Sequence, residues 1–208
     1  FLESDMGGLP QRQHSIRAVF DYSWALMSES EQEVFMKLSV FQGGFTREAA
    51  ETVANANLRT LRSLMNKSLI QRDADTGRYN IHELLRQYAK ARLEDLPPLL
   101  EDCQRRHSQF YAEFLSQRWK PLRSPKLRET VRDIEVEFEN IRLAWRNLLA
   151  NGLIADIRKS VYTLWWFLWL TNRGEDGIEL FGNELALPDA ERDTEDGLGV
   201  ICNVRAAQ

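Results

Sequence analysis

The chain has 208 residues, 43% of them hydrophobic and 28% charged, with a formal net charge of −4. That balance excludes a largely disordered chain, and two cysteines exclude a disulfide scaffold. The longest apolar run, residues 161–170, falls well short of the roughly 20 residues that a bilayer-spanning helix needs.

In chain order, Ser15 precedes Ile16, Val19, Phe20 and Trp24, a helical spacing with one apolar face. Ser28-Glu29-Ser30-Glu31 matches a capping box, and the helix it opens turns Val34, Phe35 and Leu38 inward. Gly43-Gly44 permits a sharp reversal. Thr46 is placed to cap a third helix from Arg47 to Val53. Asn57 is placed to cap a fourth, with Leu58, Leu61, Leu64 and Met65 on its buried side. Short strands are expected at 69–72 and 78–81, joined by the turn-rich Asp73-Ala74-Asp75-Thr76-Gly77. A further helix starts near His82 and is stopped by Pro97-Pro98. Helices, a β-hairpin and a closing helix are the order of a winged helix.

The second half reads as paired helices. Residues 99–119 carry Phe110, Phe114 and Leu115 on one side, and the proline-containing stretch 121–125 breaks the pattern. Leu127, Val131, Ile134, Phe138, Ile141, Trp145 and Leu148 then recur at steps of three or four, which predicts one continuous helix ended by Asn151-Gly152. The next helix carries Ile157, Val161, Leu164, Trp165, Leu168 and Trp169 and is ended by Asn172 and Gly174. Another starts with Ile178, Leu180, Phe181 and Leu185. Helix pairs joined by short loops suggest an antiparallel α-solenoid, although no clean 34-residue repeat is present. The fold class expected is therefore mainly α: a winged helix over 10–96 after a linker at 1–9, a tetratricopeptide-like helical domain over 97–187, and an incomplete or weakly ordered further repeat over 188–208.

Residues 10–96 carry 12 basic and 11 acidic side chains, and residues 97–187 carry 13 of each. Neither part has the basic surplus usual in nucleic-acid binders. In a DNA-binding reading the helix after Asn57 presents Arg59, Arg62, Ser63, Asn66 and Lys67. In the plainer reading these are solvated charges, and DNA is not the expected partner. The cluster Trp165, Trp166 and Trp169 reads as a partner-binding groove or as core. No phosphate-loop motif, Cys/His metal spacing or nucleophile–base arrangement occurs, so no catalytic residue, no metal site and no enzymatic activity are expected of this chain. No charged-then-apolar leader opens it, and Cys103 and Cys202 suit a reducing compartment, so the expected location is cytoplasmic, away from membranes.

The stretches from Leu9 to Trp24, Leu38 to Thr46, Asn66 to Ile70 and Tyr79 to Ala89 together resemble the region that follows the nucleotide-binding core in bacterial signal-transducing ATPases with numerous domains (the STAND/NB-ARC type). The resemblance covers about residues 9–96 and extends more loosely to 187. It implies a regulatory fragment whose winged helix packs on the protein's own nucleotide-binding domain and holds an ADP-bound resting state. Helical repeats would then sense a protein or small molecule. It further implies ADP or ATP with Mg as cofactor of the whole protein, and places His82, in Ile81-His82-Glu83, at the family's Met-His-Asp histidine near the ADP phosphate. The alternative is a winged-helix transcriptional regulator with a helical effector domain.

Overall fold

The computed structural model describes residues 20–182. A helical segment over 20–25 (α1) is followed by α2 Glu29–Leu38, α3 Arg47–Ala54, α4 Leu58–Asn66, β1 Gln71–Arg72, β2 Tyr79–Asn80, α5 Glu83–Glu94 and α6 Pro97–Ser116. Then come α7 Trp119–Leu122, α8 Leu127–Val136, α9 Phe138–Ala150, α10 Ile154–Leu170 and α11 Gly174–Phe181. The protein is mainly helical, with a winged-helix-like N-terminal region and a small two-stranded sheet. Two compact units divide the chain at Arg106–His107, inside α6. The linker expected at 1–9, the further repeat at 188–208 and the start of the first helix at Ser15 lie outside the described residues.

In the first unit, side chains fix the helix starts. The Ser28 hydroxyl accepts from the Glu31 N–H (3.3 Å) while the Glu31 carboxylate accepts from the Ser28 N–H (2.8 Å), closing the expected capping box on α2. Thr46 caps α3 by accepting from the Ala49 N–H (3.1 Å), and Asn57 caps α4 by accepting from the Thr60 N–H (2.9 Å). Asn55 ends α3 in the left-handed region (φ 55°), where asparagine is tolerated, and Ala56 is fully buried. Helices α3 and α4 are thus joined by the short turn Asn55-Ala56-Asn57 as a helix-turn-helix. Phe35, Leu38, Phe45, Val53, Leu61 and Leu64 form the core beneath them.

The hairpin pairs Gln71 with Asn80 and Arg72 with Tyr79. Its strands are shorter than the two four-residue runs in the sequence, because Leu69 and Ile70 are buried in the helical core instead of pairing. A bridge absent from the sequence reading joins Phe45 to Tyr79 through N–H···O bonds of 2.9 and 2.8 Å, and their rings stack at 5.9 Å. Gly44 (φ 90°) makes this approach possible, since a Cβ there would lie 2.2 Å from Asn80 Oδ1 and 2.8 Å from the Tyr79 carbonyl. Pro97-Pro98 corrects a second expectation. The helix α5 already ends at Glu94, and the prolines open α6, where a missing N–H costs no helical bond.

In the second unit the helix expected over 127–148 is two helices, α8 and α9, separated at Glu137. Glu137 is 4% exposed; its carboxylate accepts from the Tyr111 hydroxyl (2.8 Å) and the Asn140 amide (3.0 Å), and its backbone leaves helical geometry (φ −97°, ψ 3°). An apolar period is blind to this, because both halves keep the same buried spacing. Successive helices α8, α9, α10 and α11 pack on one another, and the Trp145 indole N–H donates to the Leu180 carbonyl (2.9 Å) to tie α9 to α11. Gly174 opens α11 and does not end α10, which stops at Leu170. The buried side of α10 takes in Phe167, 5.7 Å from the Phe138 ring, and leaves Trp169 54% exposed, outside the face the spacing assigned it to. Among the described residues no helix is long and apolar enough to cross a membrane, and no His/Cys/Asp/Glu group is arranged to hold a metal ion.

Candidate nucleic-acid interface

Helix α4 is the second helix of the helix-turn-helix, the position from which such motifs present side chains to a DNA groove. Leu61 and Leu64 bury its inner side completely. Arg59, Arg62 and Asn66, spaced i, i+3 and i+7, are all exposed and form one outward row. No described residue pairs with either guanidinium or with the Asn66 amide. The Asn57 cap closes the first turn of this helix, its side chain also accepting from the Thr60 hydroxyl (3.2 Å).

Ser63 and Lys67, read from the sequence with these three, are used differently. The Ser63 hydroxyl donates to Glu31 Oε1, and the Lys67 ammonium donates to Glu31 Oε2 at 2.7 Å. The Lys67 and Glu31 side chains are 28% and 14% exposed. Hydrogen bonds from Lys67 first, then from Ser63, hold the Glu31 carboxyl down at about 2, against an ordinary 4.5. Glu31 therefore does two jobs: it completes the capping box of α2 and clasps α4 from behind. Local spacing carries no signal of the clasp, because its partners are 32 and 36 residues away. At the other end of α3, Arg106 donates to the Asn55 side chain (3.1 Å) and is paired with Asp102 (2.9 Å), bracing the turn before α4.

The hairpin lies beyond α4 as the wing. Asp73 Oδ1 accepts from the N–H groups of Asp75 (3.1 Å) and Thr76 (2.7 Å) and from the Thr76 hydroxyl (2.7 Å), which builds the turn and lowers the Asp73 pKa, the Thr76 hydroxyl bond being the largest cause. Arg72 Nε donates to the Gly77 carbonyl (3.3 Å). With Asp73 and Asp75 beside Arg72 and Arg78 the wing carries no net charge.

His82 caps α5: its Nδ1 accepts from the Leu84 N–H (3.3 Å), and the residue is exposed. Next to it, Glu83 is held at about 2 by Arg86, whose Nη1 also donates to the Ser39 carbonyl (3.2 Å). Glu83 and Arg86 line a cleft of about 200 Å³ together with Gly43, Gly44, Asn80 and Ile81. In the second unit Trp166 stacks on Trp169 (5.1 Å) and lies 5.8 Å from Trp165, with Trp165 and Trp166 half-buried. The His82 group belongs to the first unit and the three tryptophans to the second.

Residues 27–94 match the winged helix-turn-helix domain family. The chain is 32% identical over 177 residues to "Putative HTH-type transcriptional regulator Rv0890c" of Mycobacterium tuberculosis, and to the same extent to the similarly named Mb0914c of Mycobacterium bovis. Each alignment covers 79% of this chain and 20% of the relative, so the chain spans about a fifth of the length of these proteins. No solved structure matches the chain. These likenesses favour the DNA-binding alternative over the ATPase reading, and they count against the expectation that DNA is not a partner. A charge sum over 10–96 averages the outward Arg59 and Arg62 with acids such as Glu31 that are turned to internal work. The chain carries a winged helix-turn-helix domain and is similar to proteins named as HTH-type transcriptional regulators.

Proposed function

We propose that this chain is the DNA-binding part of a transcriptional regulator, with α4 entering the major groove and the helical unit acting as an effector domain that senses a protein or small molecule. The observation that carries the reading is the outward row Arg59, Arg62 and Asn66 on a helix clasped from behind by Glu31. Arginine suits guanine O6/N7 and asparagine suits adenine N6/N7, each a two-bond contact. The helical unit offers Trp165, Trp166 and Trp169 as its aromatic partner-binding candidates. The similarity to mycobacterial HTH-type regulators supports the same reading.

The test is selection of duplexes from a random pool, followed by fluorescence-anisotropy titration at fixed salt. Wild type is expected to enrich a short motif. Arg62→Ala should weaken the selected site by about 1–3 kcal/mol and relax preference at one base pair. An unselective pool, or a selected site bound equally by Arg62→Ala, removes the reading.

A second reading concerns the longer protein. His82 sits exposed at the N-terminus of α5 beside the Glu83–Arg86 cleft, a position from which an imidazole can meet a phosphate. In a whole protein carrying a nucleotide-binding domain, with ADP or ATP and Mg, it would stabilise the ADP-bound state, and the winged helix would pack on that domain. ADP release measured on the full-length protein decides it: His82→Ala should speed release several-fold, and unchanged release refutes the role.

A further inference from the structure

The second unit carries a concentration of unneutralised positive charge that the winged helix does not explain. Residues 118–128, Arg-Trp-Lys-Pro-Leu-Arg-Ser-Pro-Lys-Leu-Arg, contain five cations and no carboxylate. They form the corner from α7 to the start of α8. Arg118 is used internally: it donates to the Phe114 carbonyl (3.0 Å), pairs with Asp133 (3.3 Å) and lies over the Phe114 ring. The other four, Lys120, Arg123, Lys126 and Arg128, are exposed, and none has an ion-pair partner among the described residues. Elsewhere in this unit Arg142 and Arg146 pair with Glu179, Lys159 with Asp156 and Arg173 with Asp176, while Arg132 and Arg158 stand singly, so among the described residues only the corner gathers several unpaired cations in one short segment.

The corner is also held in shape. The Ser124 hydroxyl donates to the Pro121 carbonyl (2.8 Å) and accepts from the Lys126 N–H (3.2 Å), between two prolines with fixed φ. Arg123 lies over the Trp119 ring (5.0 Å to its centroid), and Trp119 rests against Tyr162 of α10 (6.1 Å). Four exposed cations within nine residues, with Glu129 the first carboxylate after them, repel one another in the free protein, and a linear polyanion relieves that repulsion.

We propose that this corner is a second, sequence-independent contact for the phosphate backbone of duplex DNA. Lys120, Arg123, Lys126 and Arg128 neutralise phosphates while α4 reads bases; the choice of DNA over an acidic protein rests on the reading of the winged helix as a DNA reader. A chain already holding a duplex presents its phosphates to the rest of itself at high effective concentration, which an unrelated acidic protein does not match.

The experiment measures duplex affinity of the full chain against salt concentration, on the selected site and on random sequence. Four phosphate contacts contribute about −3.6 to the slope of log K on log salt, at about −0.9 each. The variant Lys120→Gln/Arg123→Gln/Lys126→Gln/Arg128→Gln should therefore flatten the slope by about 3–4 on both duplexes and keep the preference for the selected site. Should that variant fail to show wild-type circular dichroism, Lys120→Gln/Lys126→Gln alone should flatten the slope by roughly 2. An unchanged slope overturns the proposal and leaves the winged-helix reading standing. Flattened slopes in a protein with no sequence preference uphold the corner and remove the winged-helix reading. Absence of duplex binding at low salt removes both. Binding of polyglutamate tighter than duplex, lost in the four-fold variant, overturns the proposal in favour of an acidic protein partner.

Discussion

Glu31 offers the sharpest test of how the winged helix holds its reading helix. Removing its carboxylate in Glu31→Ala breaks the reciprocal cap on α2 and frees Ser63 and Lys67 on α4. The cap is worth about 1 kcal/mol, and hydrogen bonds to a charged group about 1.5–3 kcal/mol, of which the lower end fits a rim position. Together they give a loss of about 2–3 kcal/mol, which for a domain of this size lowers Tm by roughly 10 °C or more. Glu31→Gln should lose about half as much, because glutamine still serves the capping box and still accepts from Ser63. The sign with pH follows from the lowered pKa. The folded carboxyl titrates at about 2 against an ordinary 4.5, so its stabilisation is complete above 4.5 and is lost as pH falls from there toward 2. The assay is thermal unfolding of wild type and Glu31→Gln from pH 7 to pH 3, with amide exchange in α4 followed in parallel. The gap in Tm should be full at pH 7 and close below pH 4.5, and α4 amides should exchange faster in the variant. Equal Tm at pH 7, or a gap that stays constant to pH 3, refutes the clasp.

Three further outcomes can be checked directly. Gly44→Ala places a methyl group against Asn80 Oδ1 and the Tyr79 carbonyl at positive φ, and should destabilise the first unit by about 1–3 kcal/mol in denaturant titration. Trp145→Phe removes the donor to the Leu180 carbonyl and should cost about 1–3 kcal/mol in the second unit, with α11 amides losing exchange protection first. Cys103 is buried with its thiol pushed up to about 12 by burial, so in a Cys202→Ser background it should resist a disulfide reagent at pH 8 until denaturant is added; immediate labelling of the native protein contradicts that burial.

Much of the first unit was legible because its signals are local. Ser28, Thr46 and Asn57 each cap a helix within three residues, and the polar turn 73–77 forms a hairpin from its own side chains. The outward row Arg59, Arg62 and Asn66 follows from the 3.6-residue period once Leu61 and Leu64 are placed inside. That much the order of residues determines by itself: caps, the winged-helix order, the candidate reading residues and the inner face of α4 at Leu61 and Leu64, although Leu58, expected on that face, is exposed. The tertiary structure alone decided what those residues do. It drew Ser63 and Lys67 away from solvent onto Glu31, across 32 and 36 residues, because a carboxylate already placed by its cap lay opposite them. It split the helix at Glu137, because a carboxylate bonded to Tyr111 and Asn140 in the interior outweighs the period of its apolar neighbours. It turned Trp169 outward, because Phe167 fills the space against Phe138. Capping acts between neighbours on the chain, whereas burial and ion pairing act between neighbours in space, and only the folded arrangement says which those are.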